Sequence, residues 1–345
     1  MSQSYSPSLT TNGLVMCFDG TQGYGAGYNQ IKKPTTIPDC VLWLDADDEE
    51  TITHSSNAIS SWLDKSRSGY VASQSNAANK PNYNSAGYLG KGIVEFDGTN
   101  DFLNVNTSGW TFGANNGMVM FMVCRQAAFN NTGAGFYFGG VSSGTTQNYM
   151  GVGDSGGNSM DFRMYGDSAT GAEVEMFYQD AASYHINTGV WNKNSNGEAG
   201  AASVFNFWDG VRGGYSTSNV ATSNFTTTSD AIIGKSGGGT FCKIYIAEII
   251  VYNRALTKKE RQSIEFYLSY KWDVDLVVDY DTTGRRWPVD LAGNATNSTG
   301  NLGTSQKSPG INAKRGILLG NESGRYSQYT TTDAISNLDF QCSSS

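Results

Sequence analysis

The sequence predicts an all-β protein: one antiparallel two-sheet sandwich, a single amphipathic helix behind it, and an extended arm at each end. Three observations predict this. From Val41 onward, short apolar or alternating runs recur between clusters of Gly, Asn and Ser, the pattern of a many-stranded antiparallel fold. The chain has 42 Gly against 6 Pro, so turns are plentiful and strands are rarely interrupted. Hydrophobic residues make up only 38% of the 345, but aromatics reach 12%, and each Tyr, Phe or Trp buries enough area to fill a core between two sheets.

The expected strands, in order, are residues 41–45, 92–96, 102–105, 118–125, 135–140, 149–152, 159–165, 174–179, 202–208, 231–234 and 243–252. Residues 118–125 and 243–252 are the most continuously apolar and belong in the centre, covered on both faces. A single segment has a helical period. In residues 256–272 (LTKKERQSIEFYLSYKW), Ile264, Tyr267, Leu268 and Trp272 recur at three- and four-residue intervals. Thr257 with Glu260 three residues on makes a capping box. Lys258, Lys259, Arg261 and Glu265 are assigned to the opposite, solvent side, and the helix is expected across the end of the sandwich.

The flanks, residues 1–36 and 275–345, are rich in Gly, Ser, Thr and Asn with few apolar runs. By themselves they could not bury enough area to offset ordering costs of about 1–2 kcal/mol per residue. They are expected to be held by each other, by the sandwich (residues 37–274) or by neighbouring chains. The net charge of −8 argues against nucleic acid or an anionic membrane as partner, and no apolar stretch approaches a membrane span. The start, MSQSYSPSLTTNG, has neither the basic head nor the apolar run of a secretory signal. Five scattered cysteines without CxxC spacing argue against a disulfide framework or a zinc site, and Cys124 and Cys242 read as small core residues.

Three segments carry a family resemblance. PDCVLWLDADDEETIT (38–53), continuing through SSWLDKSRSG (60–69), resembles the opening of concanavalin A-like, laminin-G-like jelly-roll domains of phages and bacteria, with an LWLDA strand and a W-x-D-x-S turn. GIVEFDGTNDFL (92–103) and IAEIIVYNRALTKKERQSIEFYLSYKW (246–272) are similar to that family's central strand–turn–strand and its closing strand and helix. The resemblance implies the jelly-roll fold and says little about a ligand. A second resemblance involves the ends. SPSLTTNGLVMCFDG (6–20) and RRWPVDLAGNATN (285–297) are similar to pieces of structural proteins of tailed, cyanophage-like phages. It implies either a sandwich inserted into the remnant of a second one, or two unrelated extended arms.

Chemistry-bearing residues are sparse. There are two histidines, His54 and His185, and neither lies near a G-x-S-x-G elbow; both read as satisfied or surface residues. Glu95 and Asp97 read E-x-D, but Asn100 stands where a third acid would complete a glycanase strand, so Asp97 is assigned to holding its turn. Glu173 and Glu175 share a strand face and make a weak glycan-hydrolase reading. Calcium is the one cofactor considered, with Asp45, Asp47, Asp97 and Asp101 as candidate ligands from the acidic loop 45–50 and the FDGTND turn; the alternative is a solvated loop. For glycan binding, Trp110, Trp191 and Tyr215 are the candidates, with Tyr149, Trp208 and Trp287 also near polar clusters. Trp43, Trp62 and Trp272 lie inside the family segments and are expected to be structural.

Together these readings favour a non-enzymatic virion structural protein, a capsid decoration protein or fibre on the particle surface. The expected partners are the major capsid protein or other virion subunits, a second copy of the chain, and a host-surface glycan. The rival reading is a lectin-like adhesin that binds polysaccharide.

Overall fold

A computed structural model of the chain describes residues 33–114, 117–126, 133–139, 148–152, 159–164, 172–177, 183–193, 202–217, 220, 222 and 224–276. Its strands in chain order are β1 (Cys40–Asp45), β2 (Ile52–Ser55), β3 (Ala58–Leu63), β4 (Val71–Ser73), β5 (Asn82–Tyr88), β6 (Lys91–Asp97), β7 (Leu103–Val105), β8 (Thr111–Phe112), β9 (Gly117–Gln126) and β10 (Gly133–Tyr137). They continue as β11 (Tyr149–Val152), β12 (Ser159–Met164), β13 (Ala172–Phe177), β14 (His185–Asn192), β15 (Ser203–Trp208), β16 (Val211–Ser216), β17 (Phe225–Thr226), β18 (Ala231–Ile233) and β19 (Lys243–Tyr252). The helix α1 (Lys258–Trp272) follows.

Every pairing is antiparallel, and seventeen strands form one hydrogen-bonded network that folds into two facing sheets. The first sheet runs β16-β15-β14-β9-β19. Beyond β19, β1 pairs with its C-terminal half, while β6, followed by β5, pairs with its N-terminal half. The second runs β2-β3-β4-β7-β18-β10-β11-β12-β13. A single pair, Ala58 with Asn82, joins the two, and β8 pairs with β17 separately.

Between the sheets lies one core. It includes Leu42, Leu44, Trp62, Phe96, Met118, Met120, Met122, Phe136, Phe162, Trp191, Ile246 and Ile249. The alternate residues of the first sheet, among them Trp43, Val119, Phe121, Val123, Ile250 and Tyr252, face outward into a second apolar cluster closed by Ile264, Leu268 and Trp272 of α1. The helix therefore packs on the outer face of the first sheet and not across the end of the sandwich. β9 and β19 are covered on both faces, and this is why they read as continuous apolar runs.

The strands that the sequence hid are mostly polar ones: β2 (ITHS), β3 (AISSWL) and β4 (VAS) on the second sheet and β5 (NYNSAGY) at the edge of the first. Each has one solvated face or few apolar residues, so no run of hydrophobes marks it. β14 (HINTGVWN), where no strand was expected, is fully buried but buries Asn and Thr, so no apolar run marks it. On α1, Arg261 and Glu265 are buried, contrary to the solvent-side assignment. The helix's first turn is capped as expected: the Thr257 hydroxyl accepts from the Glu260 backbone N–H, and the Glu260 carboxylate accepts from the Thr257 backbone N–H at 2.9 Å.

The arms divide at the edges of this unit. Residues 1–32 and 277–345, with the 6–20 and 285–297 segments and Trp287, lie outside the described residues. Pro34–Thr36 form a short 3-10 turn, with Pro34 buried and its carbonyl accepting from the Tyr252 hydroxyl at 2.8 Å. Replacing Thr257 with Ala removes the cap and should lower stability by about 1 kcal/mol, measured as a shift in the urea midpoint at unchanged slope.

Candidate functional site

The greatest concentration of chemistry-bearing groups among the described residues lies where β1, β19 and α1 meet. It begins with a register defect. Along β19, Ile244 and Ile246 face the inter-sheet core, but a bulge at Ala247 shifts the phase, so Ile249 and Val251 take over that face. Glu248 is thereby turned outward under the helix. It is completely buried, and its carboxylate accepts from Trp43 Nε1 at 2.6 Å, Trp272 Nε1 at 2.7 Å and the Tyr267 hydroxyl at 3.0 Å. Lys271 Nζ sits 3.0 Å from its second oxygen.

Lys271 also pairs with Asp45, the last residue of β1, which in addition receives Lys65 Nζ at 2.8 Å. Lys65 reaches on to Asp48 at 2.6 Å and lies over the Trp43 ring. Asp64 of the W-x-D-x-S turn completes the knot: its carboxylate accepts from the backbone N–H of Trp43 at 2.8 Å, and from the Ser66 N–H and hydroxyl at 2.7 and 2.6 Å. Burial, together with the charge of Asp45, pushes the Glu248 carboxyl above its ordinary range against the pull of Lys271. At Asp45 burial acts in the same upward direction, but Lys271 and Lys65 outweigh it and hold the pKa low.

A second buried pair holds the helix farther along. Arg261 donates to both oxygens of Glu265 at 2.7 and 2.5 Å, its guanidinium lies 3.5 Å from the centroid of the Phe207 ring, and Glu265 accepts from the Thr188 hydroxyl of β14. These arrangements use up the charges they contain. Their chemistry is that of holding an element in place.

The calcium candidates fall into two places. Asp45 carries two lysine ammoniums, and Asp47 pairs with Lys91 at 3.1 Å, so both carboxylates are already neutralised by cations of the chain. Asp97 caps its own turn, accepting from the N–H groups of Thr99 and Asn100 at 2.7 and 3.1 Å, which lowers its pKa despite some burial. Asp101 accepts from the Asp97 N–H, and burial with the Asp97 charge raises its pKa to about 6. Among the described residues no group of three or more His, Cys, Asp or Glu is placed to hold a metal ion.

Two of the three glycan candidates are corrected. Trp191 is fully buried, because its position on β14 points it between the sheets, against Gly113. Trp110 is 7% exposed and packed edge-on against Tyr70 and Phe112. Tyr215 stands on β16, and its side chain lies outside the described set. Tyr149 is buried as well, and Trp43, Trp62 and Trp272 are structural, as expected. His185 is satisfied, pairing through Nδ1 with Asp209 at 2.7 Å beside the Trp208 ring; His54 stands 3.7 Å from Glu49. Glu95 is held by the side-chain amides of Asn82 and Asn84, both at 2.9 Å. Glu173 and Glu175 lie on β13 opposite Arg163 and Asp161, and their side chains are outside the described set.

The residues that sequence reasoning missed are Glu248, Lys271, Asp64 and the Arg261–Glu265 pair. A signal existed for Glu248: a lone acid in the middle of IYIAEIIVY is either exposed or fully partnered.

No family model matches the chain, and no curated protein matches it in sequence. Among solved structures it is similar to the binding domain of botulinum neurotoxin serotype G, with a TM-score of 0.49 and 11% identity over 69% of this chain and 52% of that one. It is similar to the binding domain of Paraclostridial mosquitocidal protein 1, at 0.45 and 12% identity over 69% and 53%. It is also similar to Trypanosoma rangeli sialidase, at 0.46 and 13% identity over 70% and 34%. The chain spans about half the length of the two toxin domains and about a third of the sialidase. Likeness at this level carries no statement about ligand or activity.

Two measurements test the network. Lys271→Met removes the cation shared by Asp45 and Glu248 and should destabilise the fold by about 3–5 kcal/mol, with Glu248→Gln added in the same chain restoring part of the loss. Because the folded-state pKa of Asp45 is depressed, its contribution is present above the ordinary carboxylate range and is lost as pH falls through the folded value. The stability gap between wild type and Asp45→Asn should therefore be largest at neutral pH and narrow below about pH 4, followed by urea denaturation.

Proposed function

We propose that this chain is a non-enzymatic structural protein of a tailed-phage particle, with residues 37–274 as a displayed sandwich and the arms, residues 1–36 and 275–345, as its anchors. The observation that carries the reading is the position of the two ends. Ile37 at the start of the sandwich, and Val274 and Leu276 after the helix, are all buried in the apolar layer on the outer face of the first sheet. The chain enters and leaves by the same layer, so both arms can reach one supporting surface while the second sheet faces away from it. The resemblance of residues 6–20 and 285–297 to phage structural proteins names the kind of support.

The engagement of the acids favours a structural over a catalytic role. Asp45 and Glu248 are bound up with lysines and indoles, Glu95 with two amides and Asp97 with its own turn. In this reading the arms attach to capsid or neighbouring subunits by strand addition and buried side chains, and the sandwich adds bulk and stability to the shell. A glycan-binding adhesin remains the rival.

The test is a chain cut to residues 33–276, which keeps the whole core. It should fold with the cooperativity of the full chain yet fail to bind particles that lack this protein, whereas the full chain binds them. Undiminished binding by the shortened chain would overturn the anchoring role. Specific hits for it on a glycan array would favour the adhesin.

A further inference from the structure

Apart from the network under α1, a row of polar side chains crosses the outer face of the first sheet. Strand register puts it there. Tyr245 of β19 stands opposite Glu95 of β6 on one side and opposite Arg125 of β9 on the other. Alternation along each strand turns the three outward. Arg125 continues the set Val119, Phe121 and Val123, Glu95 shares its face with Ile93, and Tyr245 packs against the same outer cluster. All three are half-buried, and the side-chain amides of Asn82 and Asn84 hold the Glu95 carboxylate from beyond.

This row contains donors that have no acceptor. The Arg125 guanidinium lies 4.4 Å from the centroid of the Tyr245 ring and 5.8 Å from that of Tyr184. Among the described residues it has neither an ion pair nor a hydrogen-bond acceptor, although a guanidinium carries five N–H donors. Tyr184 is 5% exposed, and its hydroxyl is buried with no hydrogen-bond partner. Burial holds its phenol above the ordinary range, so the group is protonated at neutral pH. After burial, the group that acts on it most strongly is Arg125, itself only a donor, so the hydroxyl proton has no acceptor. A buried donor left in this state is costly to keep.

Two neighbouring donors, one of them a planar cationic fork, match a planar anion. The field around them favours a single negative charge over two. Glu95 acts on Tyr184, and Asp273, Asp209 and Asp275 act on Tyr88, which stacks on Tyr184 with centroids 4.1 Å apart. A carboxylate is opposed less by these acids than a dianionic phosphate would be. Glu95 and Arg125 lie two strand spacings apart, about 10 Å between backbones, with Tyr245 between them. A sugar ring spans the interval that their side chains leave. Its hydroxyls supply donors for the remaining lone pairs of Glu95, and its C–H face suits the tyrosine ring.

We propose that the Glu95–Tyr245–Arg125 row is a binding site for a carboxylated sugar. Its carboxylate accepts from Arg125 and the Tyr184 hydroxyl, its ring lies against Tyr245, and its hydroxyls donate to Glu95. Reaching the Tyr184 hydroxyl takes a shift of the Arg125 side chain toward the ligand, a rotamer motion that is fast at half-exposed positions. The site goes beyond the virion reading and holds with or without it.

The test is a calorimetric titration of the full chain with the methyl glycosides of glucuronic, galacturonic and N-acetylneuraminic acid. Each is run beside its uncharged methyl ester, and acetate serves as the carboxylate without a sugar. At least one acid should bind, with its ester and acetate each weaker by about tenfold or more. No binding by any of the three acids, or equal binding of acid and ester, would overturn the proposal. Acetate as tight as the best acid would overturn the assignment to a sugar. Arg125→Gln should abolish binding. Tyr184→Phe should act in two opposite directions: the free chain becomes as stable or more so in urea, because a buried donor without an acceptor is gone, while affinity for the acid falls about tenfold. Unchanged affinity in Tyr184→Phe, or in Arg125→Gln with a wild-type urea midpoint, would also overturn the site.

Discussion

The structure depends on a carboxylate that has no water around it. Glu248 lies in the middle of the most central strand, and an ionised group there would cost several kcal/mol to bury without compensation. The compensation comes from two separate elements: an indole N–H from β1, and an indole, a phenol and an ammonium from the last two turns of α1. The helix therefore has one position and one rotation on the sheet, since any slip along its axis would strip donors from a buried charge. Apolar packing by Ile264 and Leu268 supplies contact area, but area is tolerant of small shifts, whereas this hydrogen-bond set is not.

The same constraint reaches into the loops. Lys271 is shared with Asp45, Asp45 with Lys65, and Lys65 with Asp48, so the acidic segment after β1 is held by a chain of ion pairs. Asp64 ties the turn after β3 to the backbone of Trp43. The residues by which the sequence resembles laminin-G-like domains, the LWLDA strand, the W-x-D-x-S turn and the closing IAE strand with its helix, are thus the members of one network. Their physical role explains why such segments specify a fold: Asp45, Asp64, Lys65, Glu248 and Lys271 are committed to one another or to the backbone beside them.

The charged groups gathered at β1, β19 and α1 are spent on holding those three elements together. Both described ends of the sandwich, Ile37 on one side and Val274 and Leu276 on the other, are buried in the layer that the helix covers. The second sheet, with its polar strands, carries no comparable concentration among the described residues.

Read by itself, the sequence determined the all-β class, the two central strands, the span of the helix along the chain and its capping box, because these depend on local patterns: continuous apolar runs, a 3.6-residue period and a Thr-x-x-Glu spacing. It also placed Trp43, Trp62 and Trp272 as structural. It did not determine which way a side chain faces once a strand is irregular. The bulge at Ala247 reverses the alternation of β19 and delivers Glu248 to the helix, and no periodicity reveals a one-residue phase change. Trp191 and Trp110 looked like surface aromatics because their neighbours in sequence are polar, yet their neighbours in space are the core. Arg261 and Glu265 looked like a solvated helix face because each is charged, yet they neutralise each other under the helix. In every such case the deciding partner lies far along the chain or on another element, and only the tertiary structure brings it into contact.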